Sequence, residues 1–194
     1  MTPRRIHIVG GPGSGKSTLA RRVGQRLGIP VHHLDDLYRD GGGTGPIRTP
    51  RERDELVERV IRLHAWVTEG VHLGWTDPFI EDADIVVWLD TVGWGSASRR
   101  VTRRFIRGGA VGPGRGARVA TARGAGSRLL AAAGHVRDLG RSIAESRAYY
   151  RSTDGTPGLP ETRVATAERL ARRDRGLIHC RSDLDVARFL ASLS

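Results

Sequence analysis

The strongest constraint on this chain is Gly10-Gly11-Pro12-Gly13-Ser14-Gly15-Lys16-Ser17, which fits the pattern G-x-x-x-x-G-K-[ST] without a gap. Arg5-Ile6-His7-Ile8-Val9 before it reads as a short buried strand. After it, Leu19, Ala20, Val23 and Leu27 put one apolar face on a helix running from Lys16 to about Leu27. Glycines between a strand and a helix let backbone N–H groups converge on phosphate oxygens, and the helix N-terminus adds the positive end of its dipole. Gly11, Pro12, Gly13, Ser14, Gly15, Lys16, Ser17 and Thr18 are therefore expected to hold a nucleoside triphosphate, ATP with Mg²⁺. In that arrangement Lys16 reaches the β- and γ-phosphates, Ser17 the metal, and Thr18 the region of the α-phosphate. Lys16 is the only lysine among 32 basic residues, and it stands where a compact ammonium suits the role better than a planar guanidinium.

The rest of the chain alternates strand and helix signals. Strands are predicted over 31–34, 66–68, 85–89 and 177–180. Thr49-Pro50-Arg51-Glu52 combines an N-cap, a proline at N1 and a glutamate at N3, and opens a helix that carries Leu56, Val60 and Leu63. Further helices are expected from Arg99 to Arg107, around Leu129 to Ile143, around Val164 to Ala171, and after Ser182. Gly41 to Pro46 reads as a mobile loop. Residues 108–127 hold seven glycines and almost no large apolar group, the composition of a mobile lid. This order predicts one three-layer αβα domain over 1–194, with a five-stranded parallel sheet and a helical, arginine-rich lid segment over 96–151.

Carboxylates fall where such a sheet opens toward its ligand. Asp35 and Asp36 end the second strand and Glu69 ends the third, and strand C-termini face the crevice in open α/β sheets. One of the aspartates is positioned to take the proton of an acceptor hydroxyl, and Glu69 to hold a metal-bound water or orient the acceptor. Arg99, Arg100, Arg103, Arg104 and Arg107 form a second group, with 99, 103 and 107 on one helical face and 100 and 104 on the next. Guanidinium groups suit the spread charge of a transferring phosphoryl.

Charge is concentrated in one place. Residues 96–151 contain 13 arginines against Asp138 and Glu145, which accounts for the whole net charge of +11. Such a block suits polyphosphate, an acidic partner or nucleic acid. No apolar run of about 18 residues is present, so no membrane span is expected. No apolar leader precedes the first strand, and the single cysteine, Cys180, fits a reducing compartment, so a cytoplasmic location is expected.

The motif order resembles the adenylate-kinase-related P-loop kinases, especially the small bacterial branch labelled DNA topology modulation proteins. The segments that carry it are Ile6 to Thr18, Leu34-Asp35-Asp36-Leu37-Tyr38 and Trp88-Leu89-Asp90. Asp35-Asp36-Leu37-Tyr38-Arg39 is also similar to the D-x-F-Y-R segment of uridine kinases, and Glu69-Gly70-Val71 to their E-G-I. The resemblance implies that Asp35 is the acceptor-side base. It also implies that Arg99 and Arg103, at lid offsets from Asp90, contact adenine and phosphate. The chain lacks the D-G-x-P-R segment of adenylate kinases, and 108–134 matches no segment of either family.

Together these readings predict an ATP-dependent kinase of a small hydroxyl- or phosphate-bearing acceptor. Lys16, Asp35, Asp36, Glu69, Arg99 and Arg103 are its expected catalytic group. The alternative is a P-loop ATPase that grips nucleic acid through 96–151, although the stretch between Arg107 and Arg147 has no aromatics on which bases would stack.

Overall fold

The computed structural model describes residues 3–43, 45–72, 74–108, 139–152 and 161–193. The expected lid over 108–127 lies outside them apart from the backbone of Gly108, as does most of the predicted helix before residue 139.

Five parallel strands form one sheet in the order β2-β3-β1-β4-β5. They are β1 (Arg5–Val9), β2 (Val31–His33), β3 (Trp66–Glu69), β4 (Ile85–Leu89) and β5 (Leu177–Cys180). The helices are α1 (Lys16–Leu27), α2 (Leu34–Tyr38), α3 (Pro50–Ile61), α4 (Asp77–Asp82), α5 (Trp94–Gly108), α6 over 139–151, α7 (Arg163–Ala171) and α8 (Asp183–Ser192). β1 pairs with β3 on one side and β4 on the other. The chain therefore leaves the sheet centre at a switch point, where a crevice opens beyond the strand C-termini.

Alternation along each strand divides the core between the two faces. Ile6 and Ile8 of β1, Val67 of β3, and Val87 and Leu89 of β4 pack with Leu19, Ala20 and Val23 of α1 and Phe189 and Leu190 of α8. Val9, Trp66, Val86 and Trp88 point the other way, into a cluster with Leu34, Val57, Val60, Phe79, Tyr149 and Leu170. Helices thus cover both faces, the three-layer α/β arrangement that the alternation of signals predicts.

Local chemistry sets the boundaries. Thr49 and Glu52 form a reciprocal capping box at the start of α3, and Ser182 and Asp185 do the same for α8. α1 stops at Gly28, whose φ of 66° is left-handed.

Three expectations are corrected. β2 ends at His33, so Asp35 and Asp36 lie in the first turn of α2 rather than on a strand. α5 begins at Trp94, five residues before the predicted Arg99, and buried Ala97 belongs to the same packed face as Val101 one turn later. α4 has no counterpart among the predicted elements; it is short and starts at Asp77-Pro78. The ends of the glycine loop after Asp40, expected as a loop over Gly41 to Pro46, are joined by Asp40 N–H to Pro46 O, Gly45 N–H to Asp40 O and an Arg39–Ile47 bridge.

Candidate active site

The glycine-rich loop forms where β1 turns into α1. Gly13 and Gly15 take φ of 76° and 100°, a backbone open to glycine at little cost. The neighbours close in so tightly that side chains are excluded. A Cβ on Gly10 would lie 2.6 Å from the Leu89 carbonyl oxygen, one on Gly11 2.4 Å from the Tyr149 ring, and one on Gly13 2.8 Å from the Ala97 carbonyl oxygen. The Tyr150 hydroxyl donates to the Pro12 carbonyl at 3.3 Å. β4, α5 and α6 thus clamp the loop from three directions.

α1 begins without a side-chain cap and without an acid in its first turn. Its first N–H groups and dipole are left to an anion, and the buried Ser14 Oγ has no partner among the described residues. In front of them lies a cavity of about 410 Å³ lined by residues 13–19, Arg22, Leu89, Arg100, Arg104 and Asp183, among others. This volume suits a nucleotide-sized ligand.

Beside Lys16 stands a carboxylate. Glu69, nearly buried at the end of β3, accepts from the Ser17 hydroxyl at 2.9 Å through Oε1. His33 Nδ1 lies 2.6 Å from the same oxygen. Oε2 is buried with no partner among the described residues. Burial opposes ionisation of Glu69, but the His33 hydrogen bond, Lys16 and Ser17 hold its carboxyl below its ordinary value. His33 is correspondingly raised, first by its bond to Glu69. A hydroxyl and an ionised carboxylate with a spare oxygen, beside a phosphate cradle, fit Mg²⁺, which takes few protein oxygens and keeps the rest for phosphate and water. Among the described residues no cluster of three or more His, Cys, Asp or Glu forms an all-protein metal cage.

Asp35 and Asp36 differ in their surroundings. Burial works against the Asp35 charge, but hydrogen bonding and attraction from His72, then Lys16 and His33, keep its carboxyl below the ordinary value. Asp36 is pushed up, first by burial, with Asp35 and Glu69 adding repulsion against the pull of His33. Of the two aspartates, Asp35 is the one whose charge Lys16 favours.

The arginines sort by helix face. Arg100 and Arg104 line the cavity in front of the loop, and Arg100 Nη1 lies 3.5 Å from the Gly13 carbonyl oxygen. Arg99 and Arg103 lie with Ser98, Thr102 and Ile106 on a separate exposed groove. Arg99 and Arg103, expected to clamp phosphate, thus lie beside this cavity rather than in its lining. A helix turns about 100° per residue, and burial of Ala97 and Val101 aims the 100/104 stripe, not the 99/103 stripe, at the loop.

Sequence reasoning passed over several residues here. His33 and His72 follow β2 and β3 into the crevice, and that position was the available signal. Asp90, at the end of β4, is held by Arg163 at 2.7 Å and His179 at 3.2 Å, contacts that span 73 and 89 residues of sequence. Tyr149 and Tyr150 seat α6 on the loop. No helix among the described residues is long and apolar enough to cross a membrane.

No family model matches the sequence, and no curated protein matches it. Solved structures do resemble it in part. A gluconokinase from Sinorhizobium meliloti is 17% identical with a TM-score of 0.45, over 99% of this chain and 92% of its own. A shikimate kinase from Bacteroides thetaiotaomicron is 15% identical with a TM-score of 0.45, over 98% of each chain. A sugar kinase from Janibacter sp. is 14% identical with a TM-score of 0.40, over 97% of this chain and 92% of its own. The strand order and the loop after β1 give this chain an α/β P-loop fold, with glycine cradle, lysine and carboxylates gathered at one edge of its sheet.

Proposed function

We propose that the chain is an ATP-dependent phosphotransferase that moves the γ-phosphoryl group of ATP to the hydroxyl of a small acceptor. The observation that carries this reading is the placement of two ionised carboxylates, Glu69 and Asp35, both held below their ordinary pKa in part by Lys16. One of them is tied to the loop serine, and the other is bonded to His72 through Oδ1 alone among the described contacts. A nucleotide-binding module without turnover has no use for the second carboxylate.

Residues 11–18 would bind the triphosphate, with Lys16 on the β- and γ-phosphates. Ser17 and Glu69 would hold Mg²⁺, which supplies charge neutralisation at the phosphate oxygens. Asp35 orients the acceptor hydroxyl and takes its proton as the oxygen forms its bond to the γ-phosphorus. The bond from that phosphorus to the β–γ bridging oxygen breaks, and ADP leaves with the electron pair. A carboxylate of low basicity is adequate, because a loose transition state asks mainly for alignment and charge stabilisation. Arg100 and Arg104 border the same cavity and would neutralise phosphate charge.

The test is acceptor-dependent ADP release with MgATP across a panel of nucleosides, nucleotides, sugars and antibiotics, with the phosphorylated product identified by mass. Lys16→Ala should abolish transfer without changing ligand-free melting. Asp35→Asn should lower turnover about 10²–10⁴-fold, the span of general-base contributions, with a smaller effect for Asp36→Asn. ADP release stimulated by DNA or RNA alone, and collapsing with added salt, would instead support the nucleic-acid ATPase.

A further inference from the structure

We infer that His72 is a positioning residue that keeps Asp35 ionised and occupies one of its oxygens, so that the other is presented to the acceptor hydroxyl. The inference rests on the proposed role of Asp35.

His72 Nε2 lies 2.9 Å from Asp35 Oδ1, and His72 Nδ1 lies 2.9 Å from Glu161 Oε1. Both neighbours are carboxylates, which only accept when ionised, whereas a neutral imidazole carries a single N–H. Two such contacts on one ring require both nitrogens to donate, so the ring is an imidazolium. The conclusion holds while both carboxylates are ionised. It also fixes the ring plane, since both ends are bonded at once.

The neighbourhood holds that orientation. His72 is three residues beyond Glu69, so one strand exit delivers both the metal-side carboxylate and the imidazolium. Its carbonyl accepts from the Thr76 hydroxyl at 2.5 Å, which closes the turn into α4. The ring packs on Tyr38 of α2 at 5.4 Å and on Trp75 at 5.3 Å between centroids. Arg53 of α3 lies over the outer ring, 5.1 Å from the Trp75 centroid. The side chain is 18% exposed, so water screens the pair only in part. Glu161, just before the Thr162 cap of α7, completes the bridge.

Other charged groups also face this pair. Lys16 of α1 and His33, at the end of β2, act on Asp35. On the α6 side Glu145 is raised, first by burial and then by Glu161, with Arg141, Asp35 and Arg39 also acting on it. Burial opposes the His72 charge, but Asp35 and Glu161 outweigh it and push the imidazolium pKa up to about 9. Between the acid titration of Asp35 and that value the ion pair is intact, and activity should run as a plateau.

The experiment compares wild type, His72→Gln and Glu161→Gln in the full chain with MgATP and an acceptor from the panel. His72→Gln should lower kcat about 10–100-fold, the usual size for an orienting partner, while KM for ATP stays within about twofold. Its acid limb should rise by roughly one pH unit, and its alkaline limb should disappear. Glu161→Gln, at a half-buried position, should move the alkaline limb to lower pH and lower kcat less than His72→Gln does. A merely structural role would reduce kcat and melting temperature together and leave both limbs in place, and that result overturns the inference. Imidazole NMR of the wild-type protein reads the same pair without turnover. His72 should titrate near 9, and Asp35→Asn should lower it; an ordinary histidine titration overturns the inference. If no acceptor is phosphorylated by wild type, the proposed function fails, and the NMR titration still decides whether His72 holds Asp35 ionised.

Discussion

Ser17 and Glu69 stand 52 residues apart in sequence and are joined by a 2.9 Å hydrogen bond across the C-terminal edge of the sheet. The bond follows from register: β1 and β3 are parallel neighbours with Ile8 opposite Glu69, and Ser17 sits at the start of the helix that leaves β1. Glu69→Gln keeps an oxygen for the Ser17 hydroxyl and removes the charge. Turnover as a function of Mg²⁺ concentration should then show apparent metal affinity weakened about 10–100-fold, with ligand-free melting nearly unchanged. An unaltered Mg²⁺ dependence would take Glu69 out of the metal site.

The same crowding that shapes the loop makes it vulnerable. Gly11 is packed against Tyr149 and Tyr150, and an added Cβ would meet the Tyr149 ring at 2.4 Å and the Tyr150 ring at 2.8 Å. Tyr149 is 2% exposed and belongs to the core, so it has little room to yield. Gly11→Ala should cost about 1–3 kcal/mol of stability, as over-packing does, and displace α6 from the loop. Urea denaturation and the quenching of tyrosine fluorescence measure the two effects. An alanine variant with unchanged stability and packing would mean that α6 is not seated on the loop in solution.

The sequence made some of this site legible and hid the rest for a physical reason. The loop, α1, the capping boxes at Thr49 and Ser182, and the carboxylates near strand ends are set by short-range patterns of residue type. The contacts of Tyr149 with Gly11, of His72 with Asp35 and Glu161, and of Arg163 with Asp90 are tertiary. No local periodicity encodes which histidine or tyrosine a distant helix will deliver. The arginine group on α5 falls between these cases. Its two faces were readable from spacing, but the choice between them depended on which stripe Ala97 and Val101 buried.

Two histidines give stability opposite pH dependences. His72 is raised from 6.5 to about 9, so its contribution is complete below about pH 6.5 and is lost as pH rises through 9. His7, fully buried and 2.9 Å from the Thr68 hydroxyl, is lowered to about 4, chiefly by burial. Its contribution is complete above about pH 6.5 and is lost as pH falls toward 4. A shift of this size corresponds to on the order of 3 kcal/mol for each group. Urea midpoints for wild type and His72→Gln should therefore differ most near pH 6.5, and the gap should narrow at pH 9.5. A gap independent of pH would show that His72 contributes packing rather than charge.

Arg100 and Arg103 sit three residues apart on α5, and the structure gives them different surroundings. Arg100 and Arg104 line the cavity in front of the loop, and the Arg100 guanidinium reaches toward the Gly13 carbonyl. Arg99 and Arg103 lie in the neighbouring exposed groove with Ile106, which is 76% exposed. A guanidinium hydrogen-bonded to phosphate contributes about 1.5–3 kcal/mol, or roughly a 10–100-fold change in affinity. Titration with a nonhydrolysable ATP analogue and Mg²⁺ should therefore show Arg100→Ala and Arg104→Ala weakening binding by about that factor. Arg99→Ala and Arg103→Ala should stay within about twofold of wild type, because exposed arginines away from phosphate lose little when truncated. If the order is reversed, α5 must rotate its 99/103 stripe onto the phosphates when nucleotide binds, as the adenylate-kinase resemblance implies.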